Sequence, residues 1–178
     1  MEYFDILDEN GNKTGETKLR KEVHRNGDWH KAVDIFIIND NNEILLQKRS
    51  AVKEAYPNMW TTSASGHLSA GDDSINAAIR EIKEELGLTV TKEELRYLFT
   101  VKENKVWNDI IDNEIVDVFL VNKNINIDDL KLQEEEVAEV KFFTYKEFEH
   151  MVVTDDKNLV PRKEIDQRLL KILFDKRG

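Results

Sequence analysis

Three glutamates in one short stretch set the chemical question. Glu81, Glu84 and Glu85 stand at i, i+3 and i+4 in Arg80-Glu81-Ile82-Lys83-Glu84-Glu85-Leu86-Gly87. Read as a helix, that spacing projects all three carboxylates from one side. Like charges at i, i+4 repel, and acids in a last helical turn oppose the macrodipole. Arg80 can pair with Glu84, and Lys83 is close, but neither relieves the whole set. A divalent cation would, because clustered hard oxygen ligands are what magnesium or manganese requires. A solvated acidic face is the plainer reading, and the helix alone leaves the two even.

Those acids need a helix to hold them, and the flanking residues supply one. Ile75, Ala78, Ile79, Ile82 and Leu86 recur at the spacing of a single apolar face. Asp73 or Ser74 can cap its N-terminus, and Gly87 suits the position just past its C-terminus. Upstream, Ser63-Ala64-Ser65-Gly66-His67 is small and reads as a flexible loop that lets backbone approach a metal or phosphate.

Gly66, Arg80-Glu81, Glu84-Glu85 and Gly87-Leu88 together resemble the Nudix box. That pattern runs Gly, five residues, Glu, seven residues, Arg-Glu, an aliphatic, any residue, Glu-Glu, any residue, Gly, an aliphatic. One fixed position departs: Asp72 stands for the first Glu. Its shorter side chain touches only a loop-bracing role. The resemblance implies an α/β/α sandwich with a mixed β-sheet and the box on a loop-helix-loop. It also implies metal-dependent hydrolysis of a nucleoside diphosphate derivative or related small diphosphate. Glu81, Glu84, Glu85 and the Gly66 carbonyl would bind magnesium (or manganese). Glu81 is the candidate general base, with Glu114 the alternative, and Arg80 would hold the box carboxylates in place.

A second resemblance covers roughly residues 1 to 122. HRNGDWHKAVDIFIIN, LLQKRS, MWTTSASGHLSAG and DNEIVDVFLV are similar to the isopentenyl diphosphate isomerase branch of the superfamily. It implies a metal set of His24, His30 and His67 with Asp112 and Glu114. The isomerase cysteine position is Ser65, whose hydroxyl is far less acidic than a thiol. The intact box and Ser65 favour hydrolysis over isomerisation. The histidines are then either a second metal site, suited to manganese or zinc, or loop residues left by ancestry.

Glu114 opens a strand, Glu114 to Val121, in which Glu114, Val116, Val118 and Leu120 share one face. An acid there is costly to desolvate unless paired or metal-bound. It is expected to point into a cleft formed with the box helix, with Asp112 nearer His24 and His30. Other expected strands are Ala32 to Ile38, Glu43 to Lys48, Leu95 to Lys102 and Val137 to Phe143. Residues 3 to 17 read as a hairpin, and HRNGDWH and Glu103 to Asp112 as loops. Thr144 to Glu147 fits a capping box, and Pro161 starts a last helix. Arg49, at the end of its strand, is a phosphate contact by the Nudix resemblance and otherwise a solvated strand end.

The 178 residues suit one Nudix domain, 1–178, with an N-terminal hairpin extension over about 1–28. Charged residues make up 35% and the net charge is −10. That balance argues against a nucleic-acid duplex or an anionic membrane as partner and leaves a small-molecule diphosphate. Without cysteine there is no disulfide framework, thiolate site or cysteine nucleophile. The opening MEYFDILDEN lacks a signal-peptide pattern, and no stretch is long enough to span a membrane, so a cytoplasmic enzyme is expected. A homodimer is the family's common assembly. The rivals are an isomerase-like enzyme and a Nudix module that binds a nucleotide without cleaving it.

Overall fold

The computed structural model describes residues 1–175; the last three residues of the expected 1–178 domain lie outside the described residues. Strand β3 (Trp29–Ile38) is the axis. Its run from Ala32 to Ile38 is buried throughout, as a strand covered on both faces must be. It pairs parallel with β8 (Ile110–Asn122) and antiparallel with β4 (Glu43–Arg49) and β6 (Ala64–His67). Outer strands β1 (Tyr3–Leu7), β2 (Lys13–Leu19), β5 (Trp60–Thr61), β7 (Leu95–Trp107) and β9 (Val137–Thr144) complete one mixed sheet.

Alternation along β3 and β8 divides the core into two layers. Val33, Ile35, Ile37, Phe119 and Val121 pack under helix α2 (Ser74–Leu86) through Ala77, Ala78, Ile82 and Leu86. On the opposite face, Ala32, Phe36, Val116, Val118 and Leu120 meet helices α3 (Tyr145–Val153) and α4 (Lys163–Phe174). This is the expected α/β/α sandwich. The hairpin β1–β2 and helix α1 (Arg20–Asn26) lie beside β3, with Leu7 paired to Trp29.

Several local expectations change. HRNGDWH is not a loop: His24 sits in α1, Gly27 ends that helix at φ 71°, and Trp29 and His30 begin β3. Ser63 to His67 is not flexible either, because Ala64 to His67 pair with Ala32 to Ile35. Glu103 to Asp112 forms the far half of a long hairpin turning at Asn108 (φ 52°). Its sequence hid the strands, since the apolar residues come as the adjacent pairs Val106-Trp107 and Ile110-Ile111 and show no period-two alternation. Ile75 is exposed and Ala77 takes its buried place, a shift of the apolar stripe around α2. The last helix begins at Lys163, two residues after Pro161. The capping box at Thr144 and Glu147 forms as expected.

Candidate active site

The box is built on α2. Asp73 caps it by accepting from the Asn76 N–H at 2.9 Å, and Gly87 closes it in the left-handed conformation at φ 68°. The helix is thereby fixed at both ends. Glu85, although an acid, is buried; its Oε2 accepts from Gln47 Nε2 at 2.7 Å and from the Ser65 N–H at 3.2 Å. Burial, then the charge of Glu81, pushes its pKa up to about 8. Glu81 sits directly against Gly66. Burial pushes it up to about 7, against the pull of Arg80. Glu84 is exposed at the rim.

Arg80 does not pair with Glu84 as the helical spacing allowed. Its Nη1 donates to Asp72 at 2.6 Å, and its Nη2 to the His67 carbonyl at 2.9 Å and to Glu81 at 3.1 Å. One guanidinium therefore ties the loop before α2, the end of β6 and a box carboxylate together. Asp72 reaches it despite being shorter than glutamate.

A second cluster lies on the other face of the sheet. His24, His30, His67 and Asp112 offer ligand atoms that all fall within 4.8 Å of one another. Asp112 Oδ1 is 3.2 Å from His30 Nε2 and 3.5 Å from His24 Nε2. These three Nε2 atoms and Asp112 Oδ1 are buried and lack an aligned hydrogen-bond partner. His30 Nδ1 faces the Asp28 carbonyl at 3.1 Å and its Nε2 faces Asp112; against the pull of burial, Asp112 and Glu114 raise its pKa. Burial pushes His24 down to about 4, so it is neutral at pH 7. The buried ring of Phe4 packs on all three imidazoles, with centroids at 5.0–6.1 Å.

Glu114 belongs to this face. Its Oε1 is 2.8 Å from His67 Nε2 and its Oε2 3.4 Å from Lys105 Nζ. Burial would raise its pKa, but Lys105 and His67 hold it well below the usual carboxylate range. A single cleft of about 890 Å³ is lined by both sets, including Glu81, Glu84, Glu85, His24, Asp112 and Glu114. β6 lies between them: Gly66 meets Glu81 on one side, and His67 meets Glu114 on the other.

Residues 28–163 match the NUDIX domain family. The chain belongs to the Nudix hydrolase family. It is 41% identical over 165 residues to Nudix hydrolase 3 of Arabidopsis thaliana; the match takes in 90% of this chain and 21% of that relative, so this chain spans about a fifth of it. Isopentenyl-diphosphate Delta-isomerase 1 of Photorhabdus laumondii is 32% identical over 123 residues, covering 68% of this chain and 69% of that one. The crystal structure of DR0079 from Deinococcus radiodurans superposes with a TM-score of 0.73 at 17% identity, covering 94% and 98% of the two chains, and shares the fold.

Within this Nudix chain, Arg49 lines the cleft, but its Nε is already bonded to the Ala55 carbonyl at 2.9 Å. Among the cleft residues that escaped the sequence reading are Asp34, Lys105 and Arg162. Asp34 left a signal, an acid inside the apolar run Ala-Val-Asp-Ile-Phe-Ile-Ile. Lys105 and Arg162 left none, because their burial comes from the hairpin and from the start of α4.

Proposed function

We propose that this chain is a divalent-metal-dependent hydrolase that cleaves a diphosphate bond, with nucleoside diphosphate derivatives as its substrate class. One observation carries the reading: buried Glu85, half-buried Glu81 and side-chain-free Gly66 converge at the end of α2. Glu81, Glu84, Glu85 and the Gly66 carbonyl would hold magnesium or manganese. The fit is chemical, since two neighbouring carboxylates raised chiefly by burial need a cation to stay ionised. A cation there supplies charge neutralisation for phosphate oxygens and a water of lowered pKa.

The chain's own residues divide the remaining work. Glu81 accepts the proton of the attacking water; it lies directly against Gly66, where the cation and its water would be held. Arg80 positions it by binding Glu81, Asp72 and the His67 carbonyl at once. Glu114 is the weaker candidate base, because its carboxylate is engaged by His67 and Lys105. Arg49 contacts a phosphate through the guanidinium nitrogens that Ala55 does not occupy. The chain works as a single Nudix domain with an N-terminal hairpin extension. Among the described residues no helix is long and apolar enough to cross a membrane, and we place the enzyme in the cytoplasm.

The histidine cluster supports a second metal. The Nε2 atoms of His24 and His30 and Asp112 Oδ1, which lack an aligned hydrogen-bond partner, fit a manganese or zinc ion, and His67 with Glu114 beside it would complete the ligand set. Ser65 stands where the isomerase branch has cysteine, so this metal accompanies hydrolysis.

Incubation with magnesium and a panel of nucleoside diphosphate sugars, dinucleotides, triphosphates and isopentenyl diphosphate tests the proposal. Magnesium-dependent cleavage of a diphosphate-linked member supports it. Isomerisation of isopentenyl diphosphate without cleavage of any member would overturn it, and binding without turnover would leave a sensor.

A further inference from the structure

The cleft does not end at the box. In the pairing of β3 with β6, Asp34 lies directly opposite Ser65, one residue from Gly66. Asp34 is on the face opposite α2, and there it meets Arg162, the residue just before α4. Arg162 Nη2 donates to Asp34, and Nη1 donates to the Thr61 hydroxyl at 3.0 Å. Both charged residues are more than nine-tenths buried, at 6% and 7% exposure, yet both line the cleft. Lys105, paired to Glu103 at 2.6 Å, lines it too.

Arg162 keeps a buried Nε–H without an acceptor. A guanidinium has five donors, and one left unpaired in an interior is costly. A buried ion pair is also poor evidence of a stability role, since apolar residues of the same volume often stabilise as well or better. The pair makes sense as a surface for a ligand. A hydroxyl laid against it can donate to Asp34 or accept from Arg162. A hydrocarbon laid there would strip the remaining water from Asp34, Arg162 and Lys105 and replace it with nothing.

We infer that the Asp34–Arg162 pair selects the group attached to the diphosphate, accepting a polar, hydroxyl-bearing group and rejecting an apolar one. The pair is a specificity determinant, not a catalytic residue. The inference rests on the hydrolase reading only in placing the diphosphate at Gly66 and the box.

The test uses two probes that cannot be hydrolysed: the glyceryl and the isobutyl monoesters of methylenediphosphonate. Each is titrated calorimetrically into the full chain with magnesium. The wild type should bind the glyceryl ester at least about tenfold more tightly, as expected for a site whose polar groups are unpaired without a partner. The double variant Asp34→Leu/Arg162→Met removes both charges together. It should bring the ratio to about one or invert it. Equal affinities in the wild type, or a tenfold preference that survives in the double variant, would overturn the inference. Hydrolysis is measured separately on the nucleoside diphosphate panel: if the two methylene-bridged esters behave as expected and no panel member is cleaved, the hydrolase reading fails while the specificity assignment stands.

Discussion

A Cβ placed on Gly66 would lie 2.2 Å from Cδ of Glu81. The glycine is therefore required by the side chain it faces, since no left-handed backbone angle demands it there. Gly66→Ala must push the Glu81 carboxyl away. That carboxyl is the end of a flexible chain, so the stability cost should be small, about 1–2 kcal/mol. Turnover should fall at least about tenfold, because a misplaced ligand and base lose their geometry. Thermal unfolding and steady-state rates on one cleaved substrate separate the two effects; a variant with normal kcat would show that Glu81 need not sit at Gly66.

Phe4 supports the histidine cluster from the N-terminal hairpin. Its ring stacks on His30 at 5.2 Å with a 15° tilt and lies 5.0 Å from the His67 ring. Phe4→Leu keeps the site apolar while removing the flat surface that orients both imidazoles. Hydrogen-bonded partners that orient metal-binding imidazoles typically change metal affinity by about 10–100-fold, and a stacked ring that orients two of them is expected at the lower end of that range. Calorimetric titration of the variant with zinc or manganese should show a loss of at least about tenfold. Unchanged affinity would mean the imidazoles are oriented by their polar partners alone.

Asp166 and Asp34 give stability a pH dependence. Burial pushes Asp166 up to about 7 and Asp34 up to about 6, with Arg162 opposing both shifts. The folded chain thus holds these protons more tightly than the unfolded one, whose ordinary value is 3.8. Their contribution is full below about pH 4 and is lost as pH rises through about 7. Asp166→Asn has no proton to lose, so its urea-unfolding free energy should fall less between pH 5 and pH 8 than the wild type's. The difference should reach a few kcal/mol at most. Identical pH slopes for both proteins would show that Asp166 does not titrate in this window.

The box was legible because its chemistry is local. The helix places Glu81, Glu84 and Glu85, while Asp73 and Gly87 fix its ends, all within one stretch of sequence. The apolar run of β3 was legible for the same reason. The histidine cluster was named only through a resemblance, because its four members come from α1, β3, β6 and β8 and meet through the sheet pairing. The pairing of Arg80 with Asp72 was hidden by a plausible local alternative, Glu84 one turn on. The Glu103 to Asp112 segment failed for a different reason: its apolar residues come as the adjacent pairs Val106-Trp107 and Ile110-Ile111, so period-two alternation carried no signal. Asp34 and Arg162 are 128 residues apart, and nothing local joins them.

The central claim is that the box carboxylates hold the catalytic cation. Glu85→Gln tests it most directly, because the amide oxygen can still accept from Gln47 and Ser65 while the charge is removed. Folding should be kept or improved, since a repulsive buried carboxyl is gone. With saturating magnesium, turnover on any cleaved diphosphate should drop at least about a hundredfold. A folded Glu85→Gln protein with near-wild-type turnover would contradict the account.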